Sequence, residues 1–419
     1  MTINRTRPLN SLGPWPLGID NVSSDYALPQ GTLRDAVNVD ITLAGHPRRC
    51  KGRTKRYSGL VHSLYSDGRS IYGVAGGNLA FFTRTPDGSL TPTTIRSAVF
   101  PASRKLAWLQ FKSPLDRDRV YYSNGLTTGM LVNRVHYPWG VESPSGQPAL
   151  TATTDGGLDA GIYQVAVTFV SLFGEESGTG ESAQVAVVQG GGIVVSKIPQ
   201  PAEASVTRIN LYVSEANGAI PFLYATLPVA RTSGIITRSL SLGRRLETRF
   251  MRPPPAGEVI ELHRGRIWIA AGPVLYFTES LWPGLYRSAN SLVLPADIAL
   301  LAHTEAGLIV AADRTYLLEG ADPRQMQIVE RLPYGAYKGT LVRDERRRVL
   351  YWLSPKGLVM AGDDGSIRNL SQGRLVLRRA AVGTALLREA NGLRQLIGVL
   401  HGGLADELEA TDFRAVAAL

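Results

Sequence analysis

The clearest hydrophobic pattern of the chain lies between Gly257 and Ser280. Three short apolar runs there predict strands at Val259–Leu262, Arg266–Ala270 and Val274–Thr278. Gly265 and Gly272-Pro273 separate these runs, and Gly and Pro supply the backbone angles that tight turns need. Ile267 and Ile269 alternate with other residues, which predicts a strand with one buried face. The stretch therefore predicts a β-meander.

The same rhythm of strand, tight turn and strand recurs along the chain. The further copies are Ser63–Arg84, Ile298–Glu319, Thr340–Ile367 and Ala385–Gly402, with half a unit at Val120–Val132. Their spacing is roughly 40–45 residues where nothing is inserted, which is the period of a propeller blade. A single meander cannot bury its own apolar face, so it needs copies of itself. The sequence predicts an all-β protein with a β-propeller body of about six irregular blades.

Residues 147–252 have a different pattern. A strand is predicted at Ile162–Val170, a second strand alternates around Ile209 and Leu211, and Asn217-Gly218 predicts a hairpin. About seven short strands over roughly 100 residues is the size of an immunoglobulin-like or fibronectin-III-like sandwich. We therefore expect five segments: an arm with first strands (1–57), propeller (58–146), an inserted sandwich (147–252), propeller (253–404) and a tail (405–419).

The net charge of the chain is +10, and most of its cations are arginines. This surplus is consistent with simple solubility or with a surface that faces nucleic acid. Cys50 is the single cysteine, so no internal disulfide is expected. The first residues lack the apolar region of a secretory signal. No apolar run approaches the ~20 residues of a membrane-spanning helix.

The densest positive charge follows a predicted apolar strand at Leu33–Asp40. The cluster consists of Arg48, Arg49, Lys51, Arg53, Lys55 and Arg56. One interpretation is contact with phosphate, either of DNA in a channel or of another acidic partner, and the other is a solvated loop. A contact with DNA should be weak and independent of sequence, because DNA must slide past it.

No catalytic or metal-binding motif stands out. The six histidines lack metal-ligand spacing, and His263 is interpreted as a surface or capping residue. Asp363-Asp364 belongs to a predicted turn. The tryptophans at 15, 139, 268 and 282 are interpreted as packing residues. We expect no cofactor and no catalytic residue, although the carboxylates of a propeller hydrolase would converge only in three dimensions.

Several segments, in order along the chain, resemble the tail nozzle (tail hub, tail tubular protein B-like) proteins of short-tailed bacteriophages. The first contains Gly18, Ile19, Asn21, Val22, Leu28, Pro29, Gly31, Leu33–Asp40, Ala44, Gly45 and Pro47–Arg49. The later ones are Gly265–Tyr286 and Gly307–Pro323.

This resemblance implies a structural virion protein, made in the cytoplasm of the bacterial host and located in the phage tail. It implies a ring of six copies below the head–tail adaptor, with fibres or spikes docked outside and double-stranded DNA passing through without sequence specificity. Two alternatives remain: a propeller enzyme that degrades glycans, and a monomeric scaffold that binds proteins.

Overall fold

The computed structural model of the chain describes residues 14–36, 39–42, 44–49, 54–97, 100–112, 118–238, 243–377, 380–390 and 393–402. All regular secondary structure among these residues is strand, and most of it lies in small antiparallel sheets. The all-β prediction is therefore confirmed. Within these ranges no helix is long and apolar enough to span a membrane. The chain divides into two compact units, one of residues 59–293 and one of residues 1–58 with 294–419.

The N-terminal segment forms two small sheets. Their strands are β1 (Gly18–Ile19), β2 (Thr32–Leu33), β3 (Val39–Ile41) and β4 (Pro47–Arg49). β1 pairs with β2 in parallel, and β3 pairs with β4 antiparallel. The prediction of one strand over Leu33–Asp40 is wrong, because β2 ends at Leu33 and residues 34–36 are not in a strand. The Asp35 carboxylate accepts the Ala36 N–H at 2.7 Å, a local bond that competes with sheet pairing.

Two four-stranded meanders open the 59–293 unit. Sheet A consists of β5 (Val61–Ser66), β6 (Ile71–Ala75), β7 (Asn78–Arg84) and β8 (Leu90–Arg96). Sheet B consists of β9 (Ala107–Phe111), β10 (Arg119–Ser123), β11 (Thr128–Val132) and β12 (Val135–Tyr137). One hydrophobic core joins the two sheets, with Val74 and Leu79 from sheet A against Tyr122 and Leu131 from sheet B.

Two further sheets follow sheet B in the same unit. Their strands are β13 (Ala149–Leu158), β14 (Gly161–Ser171), β15 (Ala183–Val187), β16 (Gly191–Ser196), β17 (Val206–Ser214), β18 (Pro221–Pro228) and β19 (Gly234–Ile236). The strand orders are β13-β16-β19 and β15-β14-β17-β18, and both sheets contribute to one core. Ile209 and Leu211 are buried in that core. Asn217 takes a positive φ of 59° in the turn before β18, at the predicted hairpin.

The meander predicted around Trp268 is present as sheet C. The strands of this region are β20 (Met251–Arg252), β21 (Val259–His263), β22 (Arg266–Ala271), β23 (Val274–Phe277), β24 (Tyr286–Arg287) and β25 (Ser291–Val293). Sheet C has the order β21-β22-β23-β25, while β20 pairs with β24. The prediction of one buried face is wrong for β22. Trp268 and Ala270 are as fully buried as Ile267 and Ile269, so the strand is covered on both faces.

The other unit contains two more meanders and a hairpin. Sheet D consists of β26 (Leu300–His303), β27 (Leu308–Ala311), β28 (Thr315–Glu319) and β29 (Gln327–Leu332). Sheet E consists of β30 (Val342–Asp344), β31 (Val349–Ser354), β32 (Gly357–Gly362) and β33 (Ile367–Asn369). Hairpin F consists of β34 (Val382–Ala390) and β35 (Leu393–His401). Separate cores join D to E and E to F.

Within each unit, a central sheet packs one face against the preceding sheet and the other face against the following one. On β31, Leu350 and Trp352 belong to the core with sheet D, whereas Tyr351 and Leu353 belong to the core with hairpin F. On β10 the faces separate in the same way: Tyr122 faces the core shared with sheet A, and Tyr121 the core shared with sheet C. Side chains alternate across a strand, so a central strand must be apolar at every position to serve both cores.

The N-terminal segment is bound to the last part of its own unit. The Asn21 side chain donates to the Val376 carbonyl and accepts the Val376 N–H, both at 2.9 Å. Ile19 packs against the core that sheet E shares with hairpin F. The Asp20 carboxylate accepts N–H bonds from Val22 and Ser23, and these bonds lower its pKa. The predicted N-terminal segment of residues 1–57 therefore includes a part that is docked on its own unit.

A buried ion pair joins sheet B to the turn after β14. Arg119, on β10, bonds to Glu175, in the turn after β14. Their side chains are only 8% and 17% exposed. The Arg119 guanidinium also lies 5.2 Å from the centre of the Phe173 ring. Burial raises the pKa of Glu175, and the charge of Arg119 opposes this effect.

We expect Arg119→Met or Glu175→Leu alone to lower the free energy of unfolding by about 3–5 kcal/mol, because each leaves the other charge buried and unpaired. The double variant should recover most of this loss, since it removes both desolvation costs. Urea denaturation of the four proteins gives the double-mutant cycle. Additive losses in the double variant would contradict a coupled buried pair.

Candidate functional site

The predicted basic cluster begins on an exposed hairpin. Arg48 and Arg49 lie on β4, and both are exposed. They pair in register with Asp40 and Val39 of β3. Lys55 and Arg56 are also exposed, while Lys51 and Arg53 lie outside the described residues. Both side chains are exposed, so an external anion can reach them.

The turn of this hairpin is held by the N-terminal segment. The Trp15 N–H donates to the Gly45 carbonyl at 2.7 Å, and the Thr42 N–H donates to the His46 carbonyl at 2.9 Å. Gly45 has a φ of 78°. A Cβ at this position would lie 2.5 to 2.8 Å from backbone atoms of Trp15 and Pro16. Glycine is therefore needed both for the turn angle and for the close approach of the two segments.

Several other arginines of the same unit are neutralised by neighbouring acids. Arg314 bonds to Glu330 at 2.7 Å, and Arg331 bonds to Glu319 at 2.5 Å. The cationic run before β31 behaves similarly. Its arginines contact acids in the pairs Arg346–Glu389, Arg348–Glu305 and Arg348–Asp363. Such pairs leave little net field for an incoming phosphate, which favours the β3–β4 hairpin as the anion-binding surface.

The structure also forms a polar cleft that sequence reasoning missed. It has a volume of about 200 Å³ and lies within the 59–293 unit. Its charged and titratable lining is Arg96, His136, Glu142 and Glu203. They come from three segments that are distant in sequence, around residues 96, 136–142 and 203, so no sequence signal could have grouped them.

The surroundings of the cleft shift the pKa values of two of its residues, His136 and Glu203. Burial lowers the pKa of His136, and the charge of Arg96 lowers it further. Burial also raises the pKa of Glu203, with a smaller contribution from the charge of Glu142. The Nδ1 atom of His136 is buried and makes no hydrogen bond to the described residues. These features suit proton exchange with a small polar molecule, but the volume is below the ~300–1,000 Å³ of most ligand pockets.

Two interpretations from the sequence need correction. His263 is only 1% exposed and packs beside Trp268, with ring centres 6.4 Å apart, so it is not a surface residue. It lies at the end of β21, where it pairs in register with Arg266 of β22. Trp139 and Trp268 are buried as predicted, but Trp282 is 39% exposed and is not a core residue.

Comparisons with known proteins identify no family. No family model and no curated protein matches the chain. Among solved structures it is similar to a functionally unknown protein from Desulfotomaculum acetoxidans DSM 771, with 10% identity and a TM-score of 0.27 over 76% of this chain and 86% of that one.

Two further similarities are equally distant. PorZ, an essential bacterial surface component of the type-IX secretion system of Porphyromonas gingivalis, has 10% identity and a TM-score of 0.18 over 87% of this chain and 56% of that one. The AfRom2 CNH domain has 10% identity and a TM-score of 0.19 over 71% of this chain and 92% of that one. At these scores the similarities carry no argument about function.

We expect Gly45→Ala to loosen the basic hairpin. The left-handed angle costs an alanine about 1–2 kcal/mol, and its Cβ would overlap the Trp15–Pro16 backbone. Faster trypsin cleavage after Arg48 or Arg49 measures the effect. Gly190→Ala is the matched control, because Gly190 has a φ of 74° and nothing within 4 Å of the added Cβ. Equal cleavage of the two variants would show that the contact with Trp15 does not hold the hairpin.

Proposed function

We propose that this chain is a subunit of the tail nozzle of a short-tailed bacteriophage. The observation that carries the proposal is the order of three family-like segments along the chain. Each of them falls on a defined part of the fold. The first covers β1 to β4, Gly265–Tyr286 covers the centre of sheet C, and Gly307–Pro323 covers β27 and β28 of sheet D.

We further propose that the meanders are blades of one β-propeller and that residues 149–236 form an inserted fibronectin-III-like sandwich. Five four-stranded meanders and one hairpin agree in number with about six blades. Shared cores between consecutive sheets are the packing that a propeller requires. The seven strands of the insert share one core between two sheets, as sandwich domains do.

The proposed role is mechanical. Stacked sheets make a rigid block, and identical blocks with head-to-tail interfaces close into a ring when the rotation between them permits. Six copies would form a ring around a channel for the genome. The ring would lie below the head–tail adaptor, and fibres or spikes would dock on its outer surface. The protein would then reside in the tail of the virion, and it would need neither a cofactor nor a catalytic residue.

In this proposal the β3–β4 hairpin contacts passing DNA. Arg48 and Arg49 are exposed, so phosphates can reach them. Two cations per copy give a weak attraction that depends on salt and not on base sequence. Such a contact guides the duplex without retaining it.

We expect purified protein to assemble into rings of six 45.3 kDa chains, alone or when mixed with its head–tail adaptor. Mass photometry gives the copy number, and negative-stain electron microscopy gives the symmetry. A chain that stays monomeric at every concentration and with the adaptor present would overturn the nozzle proposal. The monomeric scaffold would then be favoured.

We expect Arg48→Ala/Arg49→Ala to weaken binding to duplex DNA equally for unrelated sequences. The slope of log K against log salt should become shallower by about 1.8, because each lost phosphate contact removes about 0.9. Fluorescence anisotropy at several salt concentrations measures both quantities. Arg69→Ala/Arg231→Ala is the matched control, since both residues are exposed and the net charge changes equally. Equal slopes for the two double variants would show that the hairpin does not contact DNA.

A further inference from the structure

An exposed apolar patch lies in the 59–293 unit. It consists of Phe250 and Trp282, which are 76% and 39% exposed, together with Leu281, which directly precedes Trp282 in the chain and is 68% exposed. Phe250 and Trp282 line a groove of about 640 Å³, together with Leu246 and the edge of Met251. Grouped apolar side chains of this size on a surface mark a site of association.

The backbone is strained where it presents this patch. Phe250 has a φ of 64° and Leu281 a φ of 61°. Bulky residues rarely take this left-handed conformation, which costs about 1–2 kcal/mol for each of them. Hydrogen bonds hold both turns, from Met251 N–H to the Thr248 carbonyl at 3.0 Å and from Leu281 N–H to the Gly265 carbonyl at 2.8 Å. The fold thus keeps two apolar side chains in solvent at a cost, which an occupant of the groove would offset.

Positive charge predominates in the segment beside the groove. From Arg244 to Arg252 this segment carries four arginines, of which Arg244 is paired with Glu176, against one acid, Glu247. The Arg249 guanidinium lies over the Phe250 ring at 5.1 Å and donates to the Ala219 carbonyl at 3.3 Å. On the opposite wall Glu279 is paired with Arg287 at 3.2 Å. The complementary occupant is therefore an acidic segment that also carries apolar anchors.

The chain itself contains such a segment after β35. Residues 403–419 lie outside the described part, and their sequence is GLADELEATDFRAVAAL. It carries four acids, at 406, 407, 409 and 412, against the single cation Arg414. Leu408, Phe413 and Val416 offer apolar anchors between and after these acids. Charge and apolar content both match the groove.

We propose that the patch of Phe250, Leu281 and Trp282 binds residues 403–419 of a second copy of this chain. Association of two patches with each other is disfavoured, because it would bring their arginines together. Every copy carries one patch and one acidic segment, so the contact is head-to-tail. This contact rests on the groove and the acidic segment alone and does not depend on the phage proposal.

Cross-linking of the full chain tests the contact. Phe250→Cys and Phe413→Cys are introduced together with Cys50→Ser and treated with a short bis-maleimide. The expected products are dimers and larger covalent species on a denaturing gel. The control pairs Leu126→Cys with Phe413→Cys, because Leu126 is 66% exposed on another sheet. Dimers no more abundant than in the control, or a product cross-linked only within one chain, would overturn the proposal.

Self-association provides a second test that does not depend on cross-linker geometry. Phe250→Gly relieves the left-handed strain and should leave the melting temperature unchanged or raised. It should still weaken self-association at least about tenfold, as loss of an aromatic anchor does. Leu126→Ser should leave it unchanged. Equal association of wild type and Phe250→Gly refutes the contact, whereas rings that persist in that variant would leave the nozzle proposal standing.

Discussion

Coverage of both faces of each small sheet is the constraint on which this fold depends. A four-stranded meander with apolar residues on both faces is unstable in water unless neighbouring sheets cover it. Tyr121 and Tyr122 on β10, and Tyr351 and Trp352 on β31, point alternately into two cores. Each such aromatic buries roughly 150–250 Å² and contributes at most about 4–6 kcal/mol. Stability therefore comes from contacts between consecutive sheets more than from any sheet alone.

The strands of the meanders could be predicted because their signals are local. The turn at Gly272-Pro273 and the apolar runs beside it place β22 and β23 within a residue of their observed ends. The sequence could not show which sheet covers the second face of β22, because that packing joins elements that are distant in sequence. The failure at Leu33–Asp40 has a similar cause. Apolar residues indicated a strand, but the bond between Asp35 and Ala36 lies outside any hydrophobic pattern.

The candidate sites follow the same division between local and distant signals. The arginines at 48 and 49 are adjacent in sequence, so the basic hairpin could be anticipated. The charged and titratable residues of the cleft, Arg96, His136, Glu142 and Glu203, come from three separate segments, and no sequence motif groups them. The sequence also could not show which arginines are available to bind an external anion and which are neutralised by neighbouring acids. Arg348 sits in a denser basic run than most, yet two acids surround it.

Rigid stacked sheets explain why the turns at the ends of their strands can hold strained backbone angles. The left-handed angles of Phe250 and Leu281 persist because β20, β22 and β23 hold the ends of both turns. If the sheets were flexible, the turns would relax and the apolar side chains would fold inward. A scaffold of this kind can therefore keep binding surfaces fixed in position without covering them. That property suits a protein whose function is the geometry of its assembly, since each contact must be ready before its partner arrives.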